Sequence, residues 1–425
     1  MKNLWIFHHY ATLPTLNGHI RPYNFARHLV NSGLKTTIFA SSYQHFSDTD
    51  VINDRSLYVI NDELEVPFVF VKTPSSKAGS ASRVKNMLAY YFNLLAVSRK
   101  YAAEFGKPDV ILASSPQPFA MAAGIKIAKR YGVPCICEIR DLWPEAIFNA
   151  TRITENSLIG KILTAGEHWI YRHADSLIFT KEGDTDYLKE HKWAQVQGGD
   201  IDLSKCHYIN NGVELSTYYN QQKNNTVNDT DLLDNTFHVI YTGAIRKIND
   251  IGNIVDAASL LQEHQDIRFL IYGDGDQADT TQRRIDEENL TNIKMKGFVE
   301  KKYLPYILSH SSVNILNYSQ SEYNWTRGNS SNKLFEYMAS GKPVISTVKM
   351  GYSIIKKYDC GIELEEHTPQ ALAAAILEIL NMPRGQYDKY CQNAKNGARD
   401  FDYGKLSEKL VKVIEQTLAD REAKQ

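Results

Sequence analysis

Lys333 and Glu336 lie one helical turn apart in the segment Gly328 to Ser346, GNSSNKLFEYMASGKPVIS, and this pairing suits a ligand that carries both phosphate and hydroxyls. Ser330, Ser331 and Asn332 suit a helix cap, Leu334, Phe335 and Met338 recur at helical spacing, and Gly341 with Pro343 ends the helix. A helix N-terminus presents unpaired backbone N–H groups and the positive end of its dipole, so it suits a phosphate, and Lys333 adds a charge there. Glu336 has the reach to accept hydrogen bonds from a ribose diol. The alternative is an amphipathic helix packed on a sheet, with Glu336 solvated.

Such a segment needs a sheet behind it, and the chain supplies two series of buried strands alternating with helical patterns. Leu4 to His8, Lys35 to Ala40, Val110 to Ala113, Pro134 to Glu138 and Ser176 to Thr180 form the first series. Phe237 to Thr242, Arg268 to Tyr272, Ile293 to Lys296, Val313 to Leu316 and Val344 to Ser346 form the second. Both read as doubly wound parallel α/β sheets. The polar stretch from Gln221 to Asn235 reads as a surface loop at the start of the second domain. The expected division is 1–205, 206–400 and a terminal helix within 401–425, whose apolar face is Leu406, Leu410, Val413, Ile414 and Leu418. A chain of 425 residues suits two domains.

The 328–346 segment resembles the nucleotide-sugar signature of family 4 retaining glycosyltransferases, in the bacterial capsule and O-antigen polysaccharide branch that reads approximately NKLFEYMAxGKPVI. The resemblance extends over nearly the whole chain. It implies a GT-B fold: two facing Rossmann-like domains, the first binding the acceptor and the second the nucleotide-sugar donor, with the C-terminal helix crossing back to the first. It implies a sugar transferred from a nucleoside diphosphate, favouring a UDP-N-acetyl or deoxy sugar, to an undecaprenyl-linked or glycan acceptor, with no cofactor and no metal. Family members usually carry two glutamates with seven residues between them. Glu336 matches the second, which binds the ribose, whereas the first falls on Gly328. The sugar-side contact then passes to Asn329 or to backbone amides.

Four further stretches line the expected cleft. In Leu13 to Gly33 a turn at Asn17-Gly18 precedes a helix; Gly18 is placed near the donor phosphate, and His19 and Arg21 on the acceptor side. Their plainer reading is a turn that caps a helix. In EIRDLWPEAIF, from Glu138 to Phe148, charges follow a buried strand. The branch carries a similar DLWPE stretch, which makes Asp141 the candidate for a sugar hydroxyl or the acceptor, flanked by Arg140 and Glu145; an ion pair of Arg140 with Asp141 or Glu145 is the alternative. In YTGAIRK, Gly243 lets pyrophosphate approach, and Arg246, with Lys247, Arg327 and Lys333, neutralises the leaving group; the family's arginine and lysine positions hold Ala244 and Asp250 here. After FLIYGDGD, Gly297 and Phe298 resemble the base-binding turn. The Asp-x-Asp at Asp274 recurs at Asp48, Asp184, Asp200 and Asp229, which makes it a weak metal signal. The catalytic set is thus Asp141, Arg246 and Lys333, and the donor set is Gly18, Gly243, Gly297, Phe298, Asn329, Ser330, Ser331, Asn332 and Glu336.

A net charge of −1 gives no reason to expect nucleic acid. Five scattered cysteines suit a reducing compartment. No apolar run suits a signal peptide or a span, so a cytoplasmic location is expected, or attachment at the inner face of the cell membrane. Residues 82–100, where cations flank Met87, Leu88, Tyr91, Phe92 and Leu95, suit either an anionic membrane surface or a helix buried on one side. Two other functions fit the sheets: a non-hydrolysing UDP-sugar 2-epimerase, which needs a carboxylate and histidine set, and a degenerate donor-binding subunit of a glycan assembly complex, which the glycine at 328 favours.

Overall fold

A computed structural model describes residues 1–423 except 17, 46, 78 and 321–323. Asn17 of the expected turn and Lys424 at the end of the last helix lie outside the described residues. The chain divides into two compact units, Met1–Asn210 with Tyr403–Gln425, and Asn211–Asp402.

The first unit is built on an eight-stranded sheet in the order Cys206–Tyr208, Ser176–Phe179, Cys135–Ile139, Val110–Ser114, Asn3–His8, Lys35–Ser41, Phe68–Val71, Tyr58–Asn61. All neighbours run parallel except the last pair. Strands buried on both faces must be apolar throughout, as NLWIFH and VILAS are. One face is covered by the helices Ser80–Phe105, Pro118–Tyr131 and Leu158–His173 over Trp5, Phe7, Phe39 and Ile111. The other is covered by Arg21–Asn31 and the terminal helix Tyr403–Glu422 over Leu4, Ile6 and Ile38. That terminal helix buries Leu406, Leu410, Val413, Ile414 and Leu418.

The second unit is a six-stranded parallel sheet in the order Ile293–Gly297, Ile267–Tyr272, Phe237–Thr242, Val313–Leu316, Val344–Ser346, Gly361–Glu363, with an apolar core on each face. Both units are Rossmann-like.

Four described strands of the two large sheets had no sequence reading. Phe68–Val71 and Tyr58–Asn61 extend one edge of the first sheet, Cys206–Tyr208 closes the other, and Gly361–Glu363 ends the second sheet. Because Cys206–Tyr208 pairs with Ser176–Phe179, the first unit runs to Asn210 rather than stopping at 205. The polar stretch after 221 is also more than a surface loop. Asp229 and Asp231 bind Lys296 at 2.9 Å, and Asp231 also pairs with Arg268 at 2.9 Å and with Lys294, so the stretch is tied to the edge of the second sheet.

Candidate active site

The second unit brings Gly243, Lys333, Glu336 and Ser331 to the carboxyl ends of its strands. Phe237–Thr242 ends in Gly243, at φ 141°, whose N–H donates to Tyr272 O at 2.9 Å. The backbone conformation favours glycine here, and a Cβ at Gly243 would stand 2.3 Å from Lys333 Cε, so the lysine lies directly across the turn. Gly273 completes the turn: a Cβ there would meet Gly243 O at 1.8 Å.

Lys333 projects from the helix Asn332–Ser340. Its Nζ donates to Tyr241 Oη at 2.7 Å and lies 4.5 Å from the Tyr241 ring centroid and 4.9 Å from that of Tyr318. With its amide oxygen turned toward the lysine, Asn249 accepts from Nζ at 3.2 Å and donates to Ala244 O at 2.9 Å. Burial pulls the ammonium down to about 7, against the opposing pull of Glu336. Glu336 is paired with Lys301 at 3.1 Å, and its side chain is 13% exposed.

The helix end differs from the expected cap. Ser331 is the N-cap but makes no capping bond, because its hydroxyl pairs with Tyr318 Oη at 2.6 Å; Asn332 is the first helical residue and is exposed. The donor to Asn329 Oδ1 is Ser331 N at 2.6 Å, and Ser330 O accepts from Asn211 at 2.6 Å. No side chain among the described residues caps this first turn, and Lys333 reaches from it to Gly243. Gly341, at φ 69°, ends the helix.

Gly328 holds φ 101°, a conformation that favours glycine, which gives a backbone reason for the absence of a glutamate there. Asn329 is buried, and so is Arg327. Arg246 and Lys247 are exposed. Gly297 accepts from Gly273 N at 2.8 Å, which binds the base-turn candidate to the glycine turns, and Phe298 is 65% exposed. Among the described residues no cluster of His, Cys, Asp or Glu could hold a metal.

In the first unit, Arg140 and His19 come together. Arg140 Nη1 lies 3.1 Å from His19 Nδ1 and 3.2 Å from His8 Nε2, so imidazoles join the charge of Asp141 around the guanidinium. Burial, then the charge of Arg140, holds His19 down at about 3; the same two causes hold His8 well below its usual range. Asp141 is half-buried with its charge acting on Arg140, whereas Glu145 lies in the first turn of Trp143–Ala150. Gly18 is exposed at φ 145°.

Arg21 is not on an acceptor surface. It is 3% exposed, bound to Glu138 at 2.8 Å and to the carbonyls of Ile209 and Asn210, so it clamps the end of the first unit. Burial would raise the Glu138 carboxyl, but Arg21 and the Ser114 hydroxyl outweigh it and hold it below the usual range. His8, Glu138, Tyr241 and Asn249 were given no role in the sequence; the signal for the first three was their position at or beside a strand end, whereas Asn249 lies in the turn Lys247–Asn249.

Residues 222–400 match the family model described as Glycosyl transferases group 1, and residues 19–197 match the Glycosyl transferase 4-like domain. Together the two matches span most of the chain, which belongs to the glycosyl transferases they describe and has the GT-B fold. A Bacillus subtilis protein named as the teichuronic acid biosynthesis glycosyltransferase TuaH is 26% identical over 280 residues, covering 65% of this chain and 66% of that relative, just under two thirds of its length. Among solved structures, sucrose-phosphate synthase from Thermosynechococcus elongatus superimposes with a TM-score of 0.71 at 15% identity, covering 99% of this glycosyltransferase and all of that chain. Anabaena HepE in complex with UDP gives 0.67 at 14% identity, covering 98% of this chain and 100% of its own.

Proposed function

We propose that this glycosyltransferase is retaining and metal-independent, and moves a sugar from a UDP-linked donor, of the N-acetyl or deoxy class, to a hydroxyl of a lipid-linked or polysaccharide acceptor in bacterial surface glycan synthesis. The observation that carries the reading is Lys333 lying across Gly243 at the uncapped start of Asn332–Ser340, a place where a diphosphate meets a cation and free backbone donors together. Glu336 leaves Lys301 to accept from the ribose diol, Gly297 and Phe298 flank the base, and Arg246 joins Lys333 against the leaving diphosphate. Asp141 meets a sugar hydroxyl or the acceptor. The departing phosphate oxygen takes the acceptor proton on the face it leaves, so the bond from anomeric carbon to phosphate breaks as the bond to the acceptor oxygen forms, with no side-chain nucleophile. The relative named for teichuronic acid synthesis and the neighbour solved with UDP support the glycan and uridine parts of this reading.

Incubation with labelled UDP-sugars and an undecaprenyl-linked acceptor tests it. An α-linked product from an α-linked donor is expected. An inverted product would overturn the retaining mechanism, epimerised donor would establish the epimerase, and donor binding without turnover would leave the degenerate subunit.

A further inference from the structure

The helix Leu158–His173 is turned the wrong way for a protein that works alone in water. Its apolar residues Leu158, Ile162, Ala165 and Trp169 recur at positions i, i+4, i+7 and i+11, the spacing of a core-facing stripe. The structure exposes that stripe and Ile159 beside it: Leu158 is 77% exposed, Ile159 55%, Ile162 63% and Trp169 37%. The buried side carries Gly160, Glu167, Ile170 and Tyr171.

This orientation is fixed by close contacts. A Cβ at Gly160 would stand 2.1 Å from Thr154 O, so only glycine allows the helix to press on the preceding loop. The Ser157 hydroxyl caps the helix by accepting from Gly160 N at 3.0 Å. Glu167 points inward and accepts from Tyr171 Oη at 2.6 Å and Tyr187 Oη at 2.7 Å, and burial pushes its carboxyl up to about 7. Rotating the stripe into the core would break all of these at once. An apolar stripe that the fold holds in solvent marks a contact surface.

The neighbouring helices identify what that surface meets. Ser80–Phe105 and Pro118–Tyr131 lie in the same layer over the same side of the sheet. Ser80–Phe105 buries Tyr90, Leu94, Val97 and Tyr101, so half of the stretch 82–100 is ordinary core; its outer side presents Val84 at 50% exposure and Phe92 at 63%. The three helices carry four, three and two lysines and arginines respectively, all exposed, against two carboxylates in all, Glu104 at one end and the buried Glu167. Among the described residues Arg172 is the one of these cations that forms an ion pair with a carboxylate, Asp200 at 3.3 Å. So cationic a layer stands out on a chain whose net charge is −1. A second copy of this chain, docked face to face, would set those cations against each other. Headgroups of an anionic bilayer would neutralise them while its interface took up the apolar stripe.

We infer that the outer face of this helical layer docks on an anionic lipid surface, with Leu158, Ile159, Ile162 and Trp169 entering the interface and the cations of all three helices against the headgroups. The inference extends the proposed use of a lipid-linked acceptor and rests on that reading for its purpose. Among the described residues no helix is long and apolar enough to cross a membrane, so attachment of this kind would be reversible.

The test is co-sedimentation with phosphatidylglycerol–phosphatidylethanolamine vesicles and with phosphatidylcholine vesicles, at low and high salt. The proteins are the full chain, the double variant Ile159→Asp with Ile162→Asp, and the double variant Arg99→Glu with Lys100→Glu. The full chain is expected to sediment with anionic vesicles at low salt and to be released by high salt. The apolar double variant should lose at least about tenfold in partitioning, because two apolar anchors become charged. Each cation removed should cost about fivefold. The melting temperature should not change, since all four positions are exposed. Unchanged partitioning of the apolar variant, or absence of wild-type binding, would overturn the inference. So would a dimer in sedimentation equilibrium that the apolar variant dissociates. A soluble short-chain acceptor separates this from the enzymatic reading. Turnover without vesicle binding sinks only the docking surface, whereas vesicle binding without turnover counts only against the transferase.

Discussion

Lys333 should couple donor binding to proton uptake. In the free protein its ammonium sits at about 7, lowered by burial. At pH 8 only about a tenth of the molecules then carry the charge. A diphosphate placed beside it favours the charged form and returns the group toward its ordinary range, so binding must draw in a proton. The uptake expected at pH 8 is about 0.9 proton per UDP bound, falling to about 0.5 at pH 7. Above pH 7 the affinity should weaken by up to about tenfold per unit, until pH passes the value in the complex. Titration calorimetry of UDP at pH 8 in buffers of different ionisation enthalpy reads the uptake directly. At that pH the free nucleotide phosphates are already deprotonated, so the lysine is the term that remains. Lys333→Met should abolish the uptake and weaken binding by about 1.5 to 3 kcal/mol, as a charged hydrogen bond is lost. Zero uptake by the unaltered protein at pH 8, with UDP bound, would refute the placement of the diphosphate at Lys333.

Glu336→Gln should weaken UDP by about 1 to 3 kcal/mol in the same calorimeter while leaving the helix intact, because a charged acceptor is replaced by a neutral one of the same shape; unchanged affinity would remove Glu336 from the ribose. Glu138→Gln should cost about 3 to 5 kcal/mol of stability in urea unfolding, since it leaves Arg21 buried and charged beside two carbonyls; a loss under 1 kcal/mol would show the pair to be dispensable. Its pH dependence has a definite sign. The Glu138 carboxyl is held below its usual range, so the stability it contributes is present above the unfolded value and is lost as pH falls through the folded one. Transfer activity should persist in excess EDTA, because Lys333, Arg246 and the helix amides carry the charge of the leaving group; loss on chelation that magnesium or manganese restores would require a metal in the mechanism.

The sequence alone determined the two parallel sheets, because a strand buried on both faces must be written in apolar residues, and runs such as Val110–Ser114 and Val313–Leu316 have no other use. It also determined the end of Asn332–Ser340, where Gly341 supplies a left-handed residue, and the apolar face of the terminal helix. The edge strands Tyr58–Asn61 and Cys206–Tyr208 were illegible, since short, half-buried strands need little apolar pattern and are defined by the neighbour they pair with. The local motif placed Lys333 and Glu336 on one helix. Only the tertiary structure showed that Lys333 crosses Gly243 to Tyr241, because that contact joins residues remote in the chain through the packing of a helix on a sheet. The same holds for Arg21, whose position beside a turn suggested a ligand contact. What decided its role was Glu138, brought to it by the parallel pairing of strands, and a buried charge takes the partner the fold provides. The direction in which Leu158–His173 faces was beyond the sequence for a related reason. Periodicity reports that a helix has two faces, but the Thr154 carbonyl against Gly160 and the two tyrosines on Glu167 determine which one is turned inward.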